Sequence, residues 1–152
     1  MKLSTIGIDL LKHFEGCETL AYQDSVGVWT IGYGHTKGVY EGMTVSQEGA
    51  EELLAHELEE YEGYINDIPK VALTQCQFDG LVCWVYNLGP TNLRSSTLLK
   101  VLNEENYGDV PFQMRRWDKA GGVVLKGLTR RRVAESMLFE GKDWTTYLEE
   151  TT

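Results

Sequence analysis

The segment LTQCQFDGLVCWVYNLGP, residues 73–90, carries both the start and the stop signals of a single helix. Thr74 and Gln77 have the spacing of a capping box, in which each side chain accepts a hydrogen bond from the backbone N–H of the other residue. Gly89 followed by Pro90 ends the helical pattern. Apolar residues occupy most of the circumference between these ends, which is typical of a helix buried on all sides. The sequence therefore predicts a central, buried helix, and 152 residues are enough for one domain with a hydrophobic core.

Helical periodicity also runs through most of the remaining chain. Ser4 can cap a first helix, and Gly16 is a natural C′ residue, so this helix should end at Phe14 or Glu15. Further helices are predicted over residues 47–66, 96–103, 110–117 and 129–139, and residues 120–127 are predicted to form a turn or a short extended loop.

A segment near the N-terminus has the period of a β-strand instead. The residues LAYQ, a turn at DSVG and the residues VWTIGY predict a hairpin. Alternation places Trp29, Ile31 and Tyr33 on one face, where they are expected to belong to the core, and Thr30 on the other face. The predicted fold class is therefore α+β, mostly helical with one small sheet.

Charge is distributed unevenly along the chain. The formal net charge is −9, which argues against general nucleic-acid binding. Residues 47–67 contain eight acids and no Lys or Arg, whereas residues 115–132 contain seven bases and one acid. Each run is interpreted first as a solvated face, and the alternative for the basic run is contact with an anionic partner.

Several classes of protein are excluded by what the sequence lacks. No stretch approaches the ~18 uninterrupted apolar residues of a membrane span, and residues 1–16 show neither an apolar h-region nor a small-residue cleavage site. We therefore expect a soluble, monomeric, cytosolic chain without a signal peptide or membrane anchor. Cys17, Cys76 and Cys83 cannot all pair, their spacing matches no metal motif and the three histidines are scattered, so no metal site is expected.

The segment EGCETLAYQDSVGVWTIGYGHT, residues 15–36, holds the clearest chemical arrangement. Glu15 would meet the negative end of the helix dipole beside apolar side chains, and both disfavour its charged form. Asp24 lies in a polar turn and should remain ionised. Two carboxyl groups driven toward opposite protonation states form the arrangement that glycoside hydrolysis uses. A glutamate at a helix end and an aspartate in a turn are nevertheless also common without any catalytic role.

Thr30 lies on the hairpin face opposite the apolar stripe. Its neighbours there, Val28 and Gly32, are small enough to leave room for a sugar ring. The Thr30 hydroxyl could accept a hydrogen bond from, or donate one to, a water molecule held by Asp24.

The spacing of Glu15, Asp24 and Thr30, followed by IGYGHT, resembles the catalytic signature of the phage-type lysozymes, which are the endolysins of glycoside hydrolase family 24. The segments GVWTIGYGHTKGV, FDGLVCWVYNLG, SSTLLKVLN and GLTRRRVAE are each similar to family segments in the same order. The resemblance implies hydrolysis of the β-1,4 bond between N-acetylmuramic acid and N-acetylglucosamine in peptidoglycan.

The resemblance also implies a domain organisation. It predicts a single lysozyme-like domain over residues 1–152 with a cleft between two lobes. The expected parts are a small β-bearing lobe at about 16–46, a connecting helix at about 47–66, and a helical lobe at about 70–152 that includes the N-terminal helix.

Carried over to this chain, the resemblance assigns roles to individual residues. Glu15 would be the general acid, and Asp24 and Thr30 would hold and activate the attacking water. This is the inverting arrangement, in which the carboxyl groups stand ~6.5–9.5 Å apart. Arg131, in GLTRRRVAE, is predicted to lie beside Glu15, where its charge would favour the ionised carboxylate. Its neighbours Arg130 and Arg132 are expected on a solvated helix face.

Two further residues of the IGYGHT motif are assigned to the support of the site. His35 is expected to be a buried, hydrogen-bonded structural histidine rather than a catalyst, and Gly34 precedes it in the motif.

The family implies a biological setting as well. The chain would be made in the host cytoplasm, would need a holin to reach the wall after membrane permeabilisation, and would cause host cell lysis. Two features depart from the family pattern. Many family members are basic whereas this chain is acidic, and Cys17 lies between Glu15 and Asp24, where it is interpreted as structural or incidental.

Two other functions compete with hydrolysis. A lytic transglycosylase cleaves the same bond with one glutamate and forms a 1,6-anhydro sugar. A wall-binding or structural module, such as a phage tail component, could retain the fold without the chemistry. The presence of Asp24 and Thr30 beside Glu15 favours hydrolysis over both.

Overall fold

The computed structural model describes residues 1–151, which form two compact units. One unit is Leu11–Glu60, and the other combines Met1–Leu10 with the chain from Tyr61 onward. Thr152, the end of the predicted helical lobe, lies outside the described residues.

The Leu11–Glu60 unit, here the hairpin unit, is built around one antiparallel strand pair. Strand β1 (Glu18–Gln23) pairs with β2 (Trp29–Gly32). The end of helix α1 (Thr5–Glu15) and the first part of helix α2 (Gln47–Asp67) complete the unit. The prediction that Ile31 and Tyr33 belong to the core is confirmed, whereas Trp29 is only partly buried. The buried apolar residues of the unit are Leu11, Ala21, Ile31, Tyr33, Ala50, Leu54 and Leu58.

The other unit, here the helical unit, contains the remaining helices and a second, very short hairpin. Its elements are α3 (Gln75–Leu88), α4 (Pro90–Ser95), α5 (Thr97–Asn103), a 3₁₀ turn (Tyr107–Asp109), α6 (Val110–Arg115), β3 (Lys119–Ala120), β4 (Val123–Val124), α7 (Lys126–Phe139) and α8 (Trp144–Glu150). Helix α7 packs against α3, α6 and α8.

Helix α3 is the buried centre of the helical unit, as the sequence predicts. The capping box is present: Thr74 Oγ1 accepts from the backbone N–H of Gln77 at 3.2 Å, and Gln77 Oε1 accepts from the backbone N–H of Thr74 at 2.9 Å. Residues 78–85 are all buried. Gly80 permits a close approach of α7, because a Cβ at this position would lie only 2.9 Å from the carbonyl oxygen of Glu135.

The predicted helices are found, but some of their ends differ and two short helices are additional. Helix α4 starts directly after Gly89, because proline is well suited to the first position of a helix. Helix α8 is capped by Asp143, whose Oδ1 accepts from the backbone N–H of Thr145 at 2.9 Å. Helix α7 begins at Lys126 rather than at residue 129, and α6 ends at Arg115 rather than at residue 117. The predicted turn or extended loop at 120–127 overlaps the β3–β4 hairpin, which begins one residue earlier, at Lys119.

The predicted α+β class is confirmed, since helices dominate and both small sheets are antiparallel. Within residues 1–151, no helix combines the length and the apolar composition that a membrane span requires.

Candidate active site

Glu15 is the last residue of α1, as the Gly16 stop signal predicts. The residue is half-buried. The backbone of Gly34 lies against its carboxyl group, because a Cβ built at Gly34 would be 3.0 Å from Glu15 Oε2. Gly34 also has a φ of +84°, a conformation that favours glycine. Two independent constraints therefore require a glycine beside the Glu15 carboxyl group.

Asp24 closes the β1–β2 turn with one of its two carboxylate oxygens. Its Oδ1 accepts from the backbone N–H of Val26 at 3.0 Å and from that of Val28 at 2.9 Å. The backbone N–H of Asp24 donates to the carbonyl oxygen of Val28 at 2.9 Å. No hydrogen bond joins Asp24 Oδ2 to any other group within residues 1–151, so the turn fixes the carboxylate through one oxygen and leaves the other oxygen available.

Thr30 is held by its own strand. The Oγ1 hydroxyl donates to the carbonyl oxygen of Val28 at 3.0 Å, so toward any further partner this oxygen is an acceptor. Thr30 is only 4% exposed, and α2 approaches the hairpin at Gly32, where an added Cβ would lie 3.3 Å from the Cβ of Ala50. Val28 is 43% exposed, and the expected room for a sugar ring on this face stays a prediction.

His35 is anchored on both its backbone and its ring. Its backbone N–H and carbonyl oxygen both bond to Ile31, at 2.9 and 2.8 Å, across the tight turn through Gly32 and Gly34. Its Nδ1 pairs with Glu57 of α2, and its side chain is 15% exposed. This is the arrangement expected of a hydrogen-bonded structural histidine.

Tyr22 belongs to the same group of residues, which the sequence motifs do not indicate. Partial burial raises the pKa of the Tyr22 phenol above its ordinary value, and the negative charges of Glu18, Glu15 and Asp24 raise that pKa further. Both predicted catalytic carboxyl groups therefore act on one phenol. Tyr22 is also the cross-strand partner of Thr30. Strand alternation, which places Tyr22 two positions before Asp24, is the signal that could have identified it.

Two of the three consecutive arginines of α7, Arg131 and Arg132, are buried. Arg131 is 6% exposed, and its Nε donates to Glu135 Oε2 at 3.1 Å. The expected solvated position of Arg132 is wrong: this side chain is fully buried and pairs with Glu135 and Asn87, and its Nε donates to the carbonyl oxygen of Trp117 at 2.8 Å. Glu135 is buried four residues after Arg131 and pairs with the guanidinium groups of both Arg131 and Arg132. The role of Arg131 as the neighbour of Glu15 stays a prediction.

Comparison with known proteins gives a consistent result. The family model described as Phage lysozyme matches residues 12–135. The endolysin of Bacillus phage B103 is 42% identical over 142 residues, which are 91% of this chain and 54% of that protein. This chain thus spans about half the length of that relative. The endolysin of Acyrthosiphon pisum secondary endosymbiont phage 1 is 40% identical over 144 residues, which are 92% of this chain and 99% of that protein.

A solved structure extends the match to three dimensions. An endolysin from Escherichia coli O157:H7 phage FAHEc1 is similar to this chain with a TM-score of 0.85 at 38% identity, covering 91% of this chain and 93% of that one. The predicted lysozyme-like fold is thereby confirmed. Because the family model extends over most of the sequence and includes Glu15, Asp24 and Thr30, the chain belongs to the phage lysozyme family of glycoside hydrolases.

Proposed function

We propose that this chain is an endolysin muramidase, a single lysozyme-like domain that hydrolyses the β-1,4 bond between N-acetylmuramic acid and N-acetylglucosamine in bacterial peptidoglycan. The observation that carries the proposal is that Glu15, Asp24 and Thr30 all lie within the matched family segment and in one compact unit, with both carboxyl groups acting on the phenol of Tyr22. Hydrolysis of this bond in the wall leads to host cell lysis.

Glu15 is assigned the role of general acid. Glu15 ends helix α1 and lies within residues 12–135, the segment that the family model matches. In the reaction, the Glu15 proton passes to the glycosidic oxygen as the bond from that oxygen to the anomeric carbon breaks. The Gly34 backbone fills the space on one side of the carboxyl group and so restricts its orientation.

Asp24 and Thr30 are assigned to the attacking water. Thr30 Oγ1 already donates to Val28, and Asp24 is an acceptor when ionised, so both can accept a proton of the same water. A water that donates to both has a lone pair free to attack the anomeric carbon, and Asp24 takes its proton as the new bond forms. A water activated on the face opposite the general acid gives inversion at that carbon.

The proposed setting follows from the family. The partner is peptidoglycan, without nucleic acid, metal or cofactor. The chain would act as a monomer made in the host cytoplasm, reaching the wall after a holin has permeabilised the membrane.

The proposal is tested by replacing Glu15 with glutamine. Glu15→Gln keeps the size of the side chain but removes the acidic proton, so clearing of outer-membrane-permeabilised cells should slow by at least about 10²-fold. The melting temperature should stay close to that of the unmodified chain. Glu41→Gln, a change at an exposed acid in the same unit, is the matched control and should clear cells at the normal rate. Normal clearing by Glu15→Gln would remove Glu15 from the mechanism.

The products identify the reaction. Muropeptides with a reducing end support hydrolysis, whereas products lighter by one water would mean a transglycosylase. Anomeric proton NMR during the first minutes of digestion should show the α-anomer at the new reducing end, and initial release of the β-anomer would contradict inversion. Binding to purified peptidoglycan without release of reducing sugars would instead indicate a binding module.

A further inference from the structure

Tyr22 occupies a defined place in the hairpin. It lies directly opposite Thr30 in the antiparallel β1–β2 pair. Directly opposite residues project from the same face of a sheet, with Cβ atoms about 4.5–5.5 Å apart. The Tyr22 ring is therefore the cross-strand neighbour of a residue assigned to the attacking water.

The surroundings of the Tyr22 hydroxyl are rich in acceptors. The carboxyl groups of Glu18, Glu15 and Asp24 all act electrostatically on the phenol. Ionised carboxylates only accept hydrogen bonds, whereas a phenol can donate one. Compared with the ionised carboxylates of Glu18 and Asp24, the Tyr22 hydroxyl is thus the donor.

The Tyr22 hydroxyl has no acceptor within the described part of the chain. Tyr22 is 38% exposed, and within residues 1–151 its hydroxyl makes no hydrogen bond. Burial and the nearby carboxyl groups of Glu18, Glu15 and Asp24 raise the pKa of the phenol, so the hydroxyl keeps its proton throughout the neutral range and remains a donor. An aromatic ring with a polar tip at a partly exposed position suits a ligand that offers both apolar faces and oxygen acceptors. A pyranose ring has these properties.

We propose that Tyr22 is a further substrate-contacting residue of this site, whose hydroxyl donates a hydrogen bond to an oxygen of the N-acetylated sugar bound beside Asp24 and Thr30. The inference rests on the proposed function, because it takes the polysaccharide of the wall as the ligand. The contact is made to an oxygen that takes no part in bond breaking, so it contributes to binding in the ground state and in the transition state alike.

The kinetic test is Tyr22→Phe, which removes the hydroxyl and keeps the ring. On a soluble peptidoglycan oligosaccharide, KM should rise about three- to tenfold, the factor that one ordinary hydrogen bond contributes, while kcat changes by less than about twofold. Tyr40→Phe, at a 63% exposed tyrosine in the same unit, is the matched control and should leave both constants unchanged. An unchanged KM for Tyr22→Phe would overturn the inference.

A second measurement separates contact from a structural role. Protein carrying [¹³Cζ]tyrosine and the Glu15→Gln change binds without turnover, and the Tyr22 resonance is assigned by its loss in Tyr22→Phe. Addition of a tetrasaccharide of alternating N-acetylglucosamine and N-acetylmuramic acid should shift the Tyr22 signal but not that of Tyr40. A tyrosine that only supports the fold would not respond, and this result would overturn the inference.

The two proposals fail in different ways. If the unmodified chain releases no sugar from peptidoglycan, the proposed function is wrong. If the unmodified chain hydrolyses peptidoglycan and Tyr22→Phe has the same KM, the function stands and only the role of Tyr22 is wrong.

Discussion

The Arg132–Glu135 pair of the helical unit and the residues Asp24 and Tyr22 of the hairpin unit differ in how completely their hydrogen bonds are satisfied. In the helical unit, Arg132 and Glu135 are fully buried, and every guanidinium nitrogen of Arg132 bonds to an oxygen of Glu135, Asn87 or Trp117. In the hairpin unit, Asp24 fixes its turn through one oxygen only, and the Tyr22 hydroxyl donates to no group within residues 1–151.

This difference shows which charged residues hold the fold and which are available for chemistry. A buried ion pair contributes to the native state through complete pairing, and removal of one partner leaves an uncompensated charge. A half-exposed carboxylate with one oxygen unused contributes less to stability but can bind a water or a substrate. Substitutions in the buried ion pair should therefore have the larger effect on stability, and substitutions at the half-exposed carboxylate should have the larger effect on activity.

The largest effect on stability should come from Glu135. Glu135→Ala leaves the buried Arg132 without its counter-ion, so the free energy of unfolding should fall by about 3–5 kcal/mol, measured by urea unfolding. Glu140→Gln, at an acid that pairs with Lys142 near the surface, is the control and should cost less than about 1 kcal/mol. Similar losses in both variants would contradict the distinction between the two regions.

An intermediate effect is expected at Gly34. Gly34→Ala places a side chain in a left-handed conformation, which costs about 1–2 kcal/mol, and it also puts a Cβ 3.0 Å from Glu15 Oε2, which should displace the carboxyl group and lower kcat. Gly38→Ala is a close control, since Gly38 has a φ of +73° but nothing within 4 Å of an added Cβ. It should lose similar stability and keep its kcat. A similar loss of kcat in both variants would mean that backbone strain alone explains the effect.

Of these three changes, the substitution at Asp24 is expected to have the smallest effect on stability and the largest effect on activity. In Asp24→Asn the amide oxygen can still accept from Val26 and Val28, so the free energy of unfolding should fall by only about 0.5–1 kcal/mol. The variant has no general base, and cell-wall hydrolysis should fall by about 10²–10⁴-fold. Asp67→Asn, at an exposed acid near the end of α2, should change neither quantity. An active, stable Asp24→Asn variant would place the base elsewhere.

The sequence was sufficient to predict the elements that depend on local signals. The capping box at Thr74 and the stop at Gly16 place two helix ends correctly, because both involve hydrogen bonds between residues close in sequence. The family resemblance and the α+β class are confirmed for a related reason, since they depend on motifs and periodicity. Helix α8 was missed because its apolar side of Trp144 and Leu148 is too short to show a period over seven residues.

Features that depend on distant residues could not be predicted in the same way. The burial of Arg132 depends on Asn87 and Trp117, which lie 45 and 15 residues away in the sequence. The approach of α2 to the end of β2 depends on Ala50 packing on Gly32. The position of Tyr22 beside Thr30 depends on the register of the hairpin, which shifts between Glu18 and Tyr22. In each case the missing information is a tertiary contact, which no local pattern specifies.

The close approach at Gly80 has a practical consequence for protein engineering. The atoms facing this glycine belong mainly to the backbone of α7, which cannot rotate out of the way as a side chain can. Redesign of the core for greater thermostability should therefore leave the packing of α3 against α7 unchanged. Gly63 of α2, with no atom within 4 Å of an added Cβ, is a better first position for a helix-favouring alanine.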